Sequence, residues 1–274
     1  MEKYSVLMSV YNKDNPKYLA DSLRSILDQT IPCDEIVLVR DGPLNKELDD
    51  VIFKFTNEYK IIKVVSLALN SGLGNALNVG LANCRNELVA RMDSDDISFP
   101  NRCEMELARF CFDPELVIVG TNICEFDGTI DNVVSSRPVP ENYPEIVKFA
   151  RRRSPFNHPT VMYKKSKVIA CGGYSVLRRK EDLSLFPKMV NEGCKSYNIQ
   201  KPLLYYRATE DNLRRRTTWV NCSEYISVIF SNYKKGYCSL FDVLYVICGQ
   251  IALYILPISI VKKLTSKYLR TNNR

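Results

Sequence analysis

The sequence holds a single histidine, 11 glycines and 13 prolines among 274 residues, and none of its ten cysteines falls in a C-x-x-C pair. So little glycine and proline excludes a collagen-like or low-complexity chain. One histidine and unpatterned cysteines argue against a zinc site and against a disulfide framework. Scattered reduced thiols in a cytosolic compartment are the expectation. Two nucleotide signatures are missing as well. No stretch reads G-x-x-x-x-G-K-[ST] or G-x-G-x-x-G, which disfavours a P-loop or a nicotinamide site. The apolar run Tyr4–Tyr11 after Met1-Glu2-Lys3 is too short and wrongly flanked for a signal peptide.

What is present is a globular composition, 46% hydrophobic and 25% charged, with enough apolar residues for a sizeable core. The net charge of +7 is uneven: residues 201–274 carry 12 Lys/Arg against 4 acids, so residues 1–200 sum to −1. A basic segment of this kind points to a local anionic partner and not to a nucleic-acid-binding core.

Apolar runs at 4–11, 35–40, 61–68 and 87–92 read as strands. Helical periodicity fills 16–29, 45–58 and 73–84 between them. This βαβαβαβ alternation predicts an α/β fold with a single doubly wound, mostly parallel sheet and helices on both faces. A helix to about 112 and a strand over 116–126 follow. Residues 128–160 read as loops around a short helix at 142–151, and another helix begins near Glu181. From Leu240 to Val261 no Lys or Arg occurs, a length that just spans a bilayer. Asp242 and Pro257 inside it argue instead for a helix or helical hairpin in the membrane interface, with a core-packing helix as the plainer alternative.

The sharpest chemical feature is Asp93-Ser94-Asp95-Asp96 at the end of the fourth strand. Three carboxylates so close repel one another unless a cation or solvent screens them. Ligands of parallel α/β sheets bind at the carboxyl ends of strands, where such acids suit Mg²⁺ or Mn²⁺. A helix cap with first-turn acids is the alternative. Asp41 ends the second strand on the same rim; it suits a base or ribose, and equally an Asp-Gly-Pro turn. Asn70-Ser71-Gly72-Leu73-Gly74 opens the next helix with small residues and free N–H groups. Glu181-Asp182 is a second acidic pair, either a general base or simple compensation of a helix dipole. The lone His158, in Asn157-His158-Pro159-Thr160, is structural by type, although a Pro-flanked loop favours a working role. The Arg151–Arg153 and Arg214–Arg216 triplets are solvated charge or a grip on a diphosphate.

In order along residues 4–210, the segments Ser5–Asn12, Val39-Arg40-Asp41-Gly42, Asn70-x-Gly72 with Ala76-Leu77-Asn78-x-Gly80, Ala90–Asp96, Asn157–Thr160, Gly172-Gly173-Tyr174 and Glu181-Asp182 resemble the family 2 glycosyltransferases of A-type nucleotide-diphospho-sugar fold. The likeness extends to bacterial O-antigen and capsule enzymes. It implies an inverting transfer from a UDP-sugar to a polyprenyl-diphosphate-linked saccharide. Val10, Tyr11 and Asp41 would hold the base, Asp41 facing uracil, with Asn12, Asn70, Gly72 and Asn78 also on the donor. Asp93 would lie by the ribose and pyrophosphate and, with Asp95, hold Mn²⁺ or Mg²⁺; Asp96 would contact the donor sugar or acceptor. Asp182 would be the base, with Glu181 the near alternative, and His158, Gly173 and Tyr174 would face the acceptor. Arg40 departs from the pattern, standing where the family often has an acid.

On that likeness, residues 1–210 form the catalytic domain, 1–100 its nucleotide half and 101–210 its acceptor half. Residues 211–274 form a membrane-associating tail that seats the chain on the anionic cytoplasmic face of a bacterial inner membrane, peripheral or monotopic. A sugar nucleotidyltransferase shares the sheet and the metal acids but does not need Glu181-Asp182 or a membrane tail. A non-catalytic nucleotide- or lipid-binding assembly protein does not need intact Asp93, Asp95 and Asp182.

Overall fold

The apolar run near the N-terminus forms β1 (Tyr4–Val10), buried on both faces. Tyr4, Val6, Met8 and Val10 enter one apolar core and Leu7 the other, as the period of two along a central strand demands. In this computed structural model residues 2–177, 179–208, 214 and 216–269 are described, the last five by backbone alone. β1 pairs in parallel with β2 (Glu35–Arg40) and with β4 (Leu88–Asp93), and β2 pairs in parallel with β3 (Ile62–Ser66). The crossovers are α1 (Pro16–Leu27), α2 (Lys46–Glu58) and α3 (Leu73–Asn83). Asn15 and Asn45 cap the first two with their side-chain oxygens. Leu19, Leu23 and Ile26 of α1 and Leu48, Ile52 and Phe55 of α2 fill the first core. Ala76, Leu77 and Leu81 of α3 fill the second, so the sheet is wound on both faces.

The chain continues through β5 (Ile97–Ser98), α4 (Arg102–Phe112), β6 (Ile118–Phe126), β7 (Val133–Arg137), α5 (Tyr143–Ala150), a 3-10 turn at His158–Thr160, β8 (Met162–Lys164), α6 (Lys165–Ala170), α7 (Glu181–Asn191) and β9 (Ser196–Arg207). Among the described residues the strands run β3-β2-β1-β4-β8-β6-β9-β5, with β7 on β6. β6 and β9 are parallel; β8, β7 and β5 join antiparallel. One sheet therefore carries the chain from Tyr4 to Arg207.

Four strands escape a reading of the sequence, β5 and β8 because they are only two and three residues long. β7 lies in the Pro- and Asn-rich stretch expected to be loop. β9 carries Gln200-Lys201-Pro202 at its middle, a turn signal by composition. The sheet accommodates it: Pro202 faces Asn122 of β6 where the register shifts on both sides, and a proline is tolerated in a strand at such an irregularity.

The apolar C-terminal run is not one helix. After α8 (Trp219–Lys234), α9 (Leu240–Ile255) and α10 (Ile258–Leu269) are separated at Pro257. A proline lacks the N–H that would carry the ladder through. No helix among the described residues is long and apolar enough to cross a membrane. Ser239 and Asp242 form a capping box at the start of α9. Val243 and Val246 of α9 pack with Val228 and Ile229 of α8 and with Leu183 of α7.

Candidate active site

The parallel strands end on one rim. Ser9 of β1 lies opposite Asp93 of β4, and the chain turns there through Ser94 and Asp95 to Asp96. One carboxylate oxygen from each of Asp93, Asp95 and Asp96 lies within 4.8 Å of the others. Burial, then the charge of Asp93, pushes the Asp95 carboxyl up to about 6. Burial, then Asp95 and Asp93, holds Asp96 well above the ordinary carboxylate range. The backbone N–H of Arg207 donates to Asp96 Oδ1 at 2.9 Å, while the buried Oδ2 has no hydrogen-bond partner. The Arg207 guanidinium donates from Nε to the Asp95 carbonyl at 2.9 Å and stacks 3.7 Å from the Tyr18 ring centre. Arg91, almost fully buried, donates to Asp93. Three crowded carboxylates, one with an orphaned buried oxygen, form an all-oxygen set of the kind that hard divalent cations take. The residues fit Mg²⁺ or Mn²⁺.

Beside the cluster opens a cavity of about 360 Å³ lined by Asp93, His158, Glu181 and Asp182 among others. Glu181 and Asp182 begin α7. Glu181 is buried, its Oε1 3.9 Å from His158 Nδ1, and its Oε2 has no partner. Burial, then the charge of Asp182, pushes Glu181 up to about 7. His158 is held well below its usual value by burial, then by the Arg91 charge, so it stands neutral. Its Nε2 lies 3.3 Å from the Tyr174 hydroxyl, and its ring meets Phe186 edge-on. Asp182 is the less buried of the pair.

The remaining expected residues divide by what they touch. Val10 and Asp41 end adjacent strands, joined by the Asp41 N–H to the Val10 carbonyl at 2.8 Å. Both Asp41 oxygens are engaged: Oδ1 accepts from the Ser71 N–H at 2.7 Å and Oδ2 from the Gly72 N–H at 3.1 Å. Asp41 thus holds the loop that opens α3, and the Asn70 amide returns a bond to its carbonyl. Gly42 is required there, at φ +86 with no space for a Cβ 2.5 Å from the Asn70 nitrogen. Arg40, the departure from the family pattern, pairs with Asp49 of α2 at 2.6 Å. The Tyr11 N–H donates to Asp14, and Asn12 is exposed beside it. Asn78 binds both backbone groups of Tyr174, at 2.7 and 2.8 Å, and so pins the Gly173-Tyr174 loop onto α3. Of the expected set, Asp93, His158, Glu181 and Asp182 line the cavity, and the others do not.

Several residues went unassigned in the sequence. Arg91 had a signal: Val89, Arg91 and Asp93 fall on one face of β4, and an arginine inside an apolar strand needs an anion nearby. Arg207 and Tyr206 had none, because the strand that carries them was not legible. Asp14, whose Oδ2 accepts from the Ser94 hydroxyl at 2.8 Å, is pushed up to about 7 by burial.

The fold is that of the A-type glycosyltransferases. Staphylococcus aureus TarS 1-349 superposes with a TM-score of 0.64 at 19% identity, over 97% of this chain and 74% of that one. Its complex with UDP-GlcNAc gives 0.63 at 18%, over 97% and 71%. The chain belongs to glycosyl transferase family 2, whose profile it matches over residues 5–186, and it is a glycosyltransferase. It is 39% identical to an uncharacterized glycosyltransferase of Haemophilus influenzae, over 98% of this chain and 99% of that protein. It is 35% identical to the UDP-Gal:alpha-D-GlcNAc-diphosphoundecaprenol beta-1,3-galactosyltransferase of Escherichia coli, over 97% and 98%. The amylovoran biosynthesis glycosyltransferase AmsE of Erwinia amylovora is 38% identical over 79% and 80%.

Proposed function

We propose that the protein is an inverting glycosyltransferase that moves a sugar from a UDP-sugar to a lipid-diphosphate-linked saccharide, in building an O-antigen or capsule repeat unit. The observation that carries this reading is that one cavity joins the Asp93 rim to the Glu181-Asp182 pair, so that a donor on the first reaches a base on the second. The E. coli relative, named for UDP-Gal and a GlcNAc-diphosphoundecaprenol, aligns over nearly the whole chain and supports both substrate classes.

Asp93 and Asp95 would hold Mn²⁺ or Mg²⁺, which when bound offsets the charge on the departing diphosphate. Asp182 takes the proton of the acceptor hydroxyl; that oxygen attacks the anomeric carbon, and the bond to UDP breaks with its electron pair on the leaving oxygen. Asp182, the less buried of the pair, is the base, and Glu181, pushed up to about 7 by burial, is the near alternative. Val10, Tyr11 and Asp41 border the base, with Asn12, Asn70, Gly72 and Asn78 behind them. Asp96 and His158, with the Gly173-Tyr174 loop, border the sugars. Residues 1–100 serve the nucleotide, 101–210 the acceptor, and 211–274 the membrane.

The outer face of α9 favours seating at the cytoplasmic face of the inner membrane. Phe241, Leu244, Tyr245, Tyr254 and Ile255 are exposed, and Asp242, the only charged residue in the helix, is buried against Arg152. Release of UDP from a panel of UDP-sugars, with a polyprenyl-diphosphate-linked sugar and Mn²⁺ or Mg²⁺, tests the reading. Acceptor-dependent, EDTA-sensitive release is expected; release indifferent to acceptor across the panel overturns it.

A further inference from the structure

The acidic turn that follows β4 is held from outside on two sides. On the first, Tyr18, Ser22 and Ser25 align on one face of α1, and Gln29 follows just past its end. This polar stripe runs beside the apolar one of Leu19, Leu23 and Ile26 that fills the core. The fully buried Ser22 hydroxyl donates to the Asp93 carbonyl at 2.7 Å. The Ser25 hydroxyl accepts the Ser98 N–H at 3.0 Å, and the Gln29 amide donates to the Phe99 carbonyl at 2.7 Å. Just before the helix, one Asp14 oxygen takes both the Ser94 hydroxyl at 2.8 Å and the Tyr11 N–H at 3.1 Å.

On the second side stands Arg207, at the end of β9. Its Nε donates to the Asp95 carbonyl and its backbone N–H to Asp96, each at 2.9 Å. Its guanidinium lies 3.7 Å from the ring centre of Tyr18 and 4.6 Å from that of Phe126, so the two sides meet at α1. Asp93, Ser94, Asp95, Asp96 and Ser98 are each tied to a residue far away in the chain. Such bonding has a physical use. The carboxylates of Asp93, Asp95 and Asp96 repel one another, and Arg91 and Arg207 offset part of that repulsion. A turn fixed from outside keeps them converged, so a cation binds without first having to gather them.

We propose that α1 is the template of the cation site: Ser22, Ser25 and Asp14, with Arg207 across the turn, are positioning residues that hold Asp93, Asp95 and Asp96 together for a small divalent ion. This rests on the reading of those acids as the cation site. Each of the four acts through the turn. Mg²⁺ demands near-ideal geometry, whereas Ca²⁺ accepts irregular oxygen sets, so a firmly held turn favours the smaller ions.

Mn²⁺ binding by the full chain without nucleotide, read from loss of the free ion's paramagnetic signal, tests the template apart from turnover. Ser22→Ala and Asp14→Ala should each weaken Mn²⁺ about tenfold, and Ca²⁺, measured by competition, by no more than about threefold. Asp14→Asn keeps an accepting oxygen and should hold Mn²⁺ within about threefold of the unaltered chain. Asp14 lies outside the apolar core, so its variants keep the test open where Ser22→Ala unfolds. Equal losses for the two ions, or unchanged Mn²⁺ affinity in both alanine variants with thermal unfolding unaltered, overturn the proposal. A loss in Asp14→Asn as large as in Asp14→Ala overturns it for Asp14, whose charge would then be what matters. Failure of the cation reading itself shows differently: the unaltered chain would bind no Mn²⁺, and the template would fall with it.

Discussion

Arg152 and Asp242, 90 residues apart, meet at 2.5 Å and dock the C-terminal helices on the sheet-bearing body. The same guanidinium lies over the rings of Phe241 and Tyr245, and the same carboxylate completes the capping box of α9. An acid inside an apolar run, which by sequence alone argues against insertion, here serves as an anchor to protein.

Losing that anchor should loosen the tail. Arg152→Ala leaves Asp242 buried without its partner, at a cost of about 1–3 kcal/mol, moderated because the arginine is partly exposed. Urea unfolding should show the loss, and hydrogen exchange should rise first in α9. Unchanged protection of α9 would mean that its apolar contacts alone hold it.

Asp182→Asn should lower transfer by about 10²–10⁴-fold with UDP affinity kept, since an amide accepts no proton from the acceptor hydroxyl. UDP binding by calorimetry beside single-turnover transfer separates the roles. Lost UDP binding would make Asp182 a donor ligand. The same pair of measurements on Glu181→Gln decides between the neighbours.

Asp95→Asn removes one of three crowded negative charges and should abolish most Mn²⁺ affinity, read by the paramagnetic signal of bound ion. Transfer should fall with it by several kcal/mol of lost leaving-group stabilisation. Full Mn²⁺ binding in the variant would move the ion off this cluster.

Glu106 on α4 is fully buried, and neither carboxylate oxygen has a hydrogen-bond partner. Burial pushes its carboxyl from 4.5 up to about 8, with Arg102 pulling the other way. The folded state thus holds this proton more tightly than the unfolded chain. Its stabilising contribution is complete below about pH 4.5 and lost as pH rises through about 8. Glu106→Gln should flatten that decline, by up to a few kcal/mol at the alkaline end. Denaturant midpoints across the range check it; parallel curves for both proteins would refute it.

Leu244→Glu and Ile255→Glu put charges on the exposed face of α9 and should weaken co-sedimentation with anionic vesicles, each by about 1–2 kcal/mol. The fold is spared because neither side chain is in the core. Sedimentation indifferent to both changes would leave the basic residues as the whole attraction.

Most of the nucleotide half is legible in the sequence. β1, β2 and α3 carry dense apolar periodicity bounded by clear punctuation, and Asp93 and Asp95 follow a strand whose end is unmistakable. Legibility fades after residue 126, where β8 and β9 take their stability from strands far back along the chain and not from local pattern. Asn78 shows the limit well. Nothing in its motif foretells that its amide holds both backbone groups of Tyr174, 96 residues on.

The sequence by itself determined the winding of the sheet, the acidic rim at its edge and the family, because each depends on residues close together in the chain. Only the tertiary structure decided that Glu181-Asp182 shares a cavity with Asp93, that Arg207 braces the Asp95-Asp96 turn, and that Arg152 turns Asp242 inward. Those relations join residues about 90 to 110 positions apart. No local periodicity encodes them; burial of the shared core brings them together, and the charges they carry are stable only once it has.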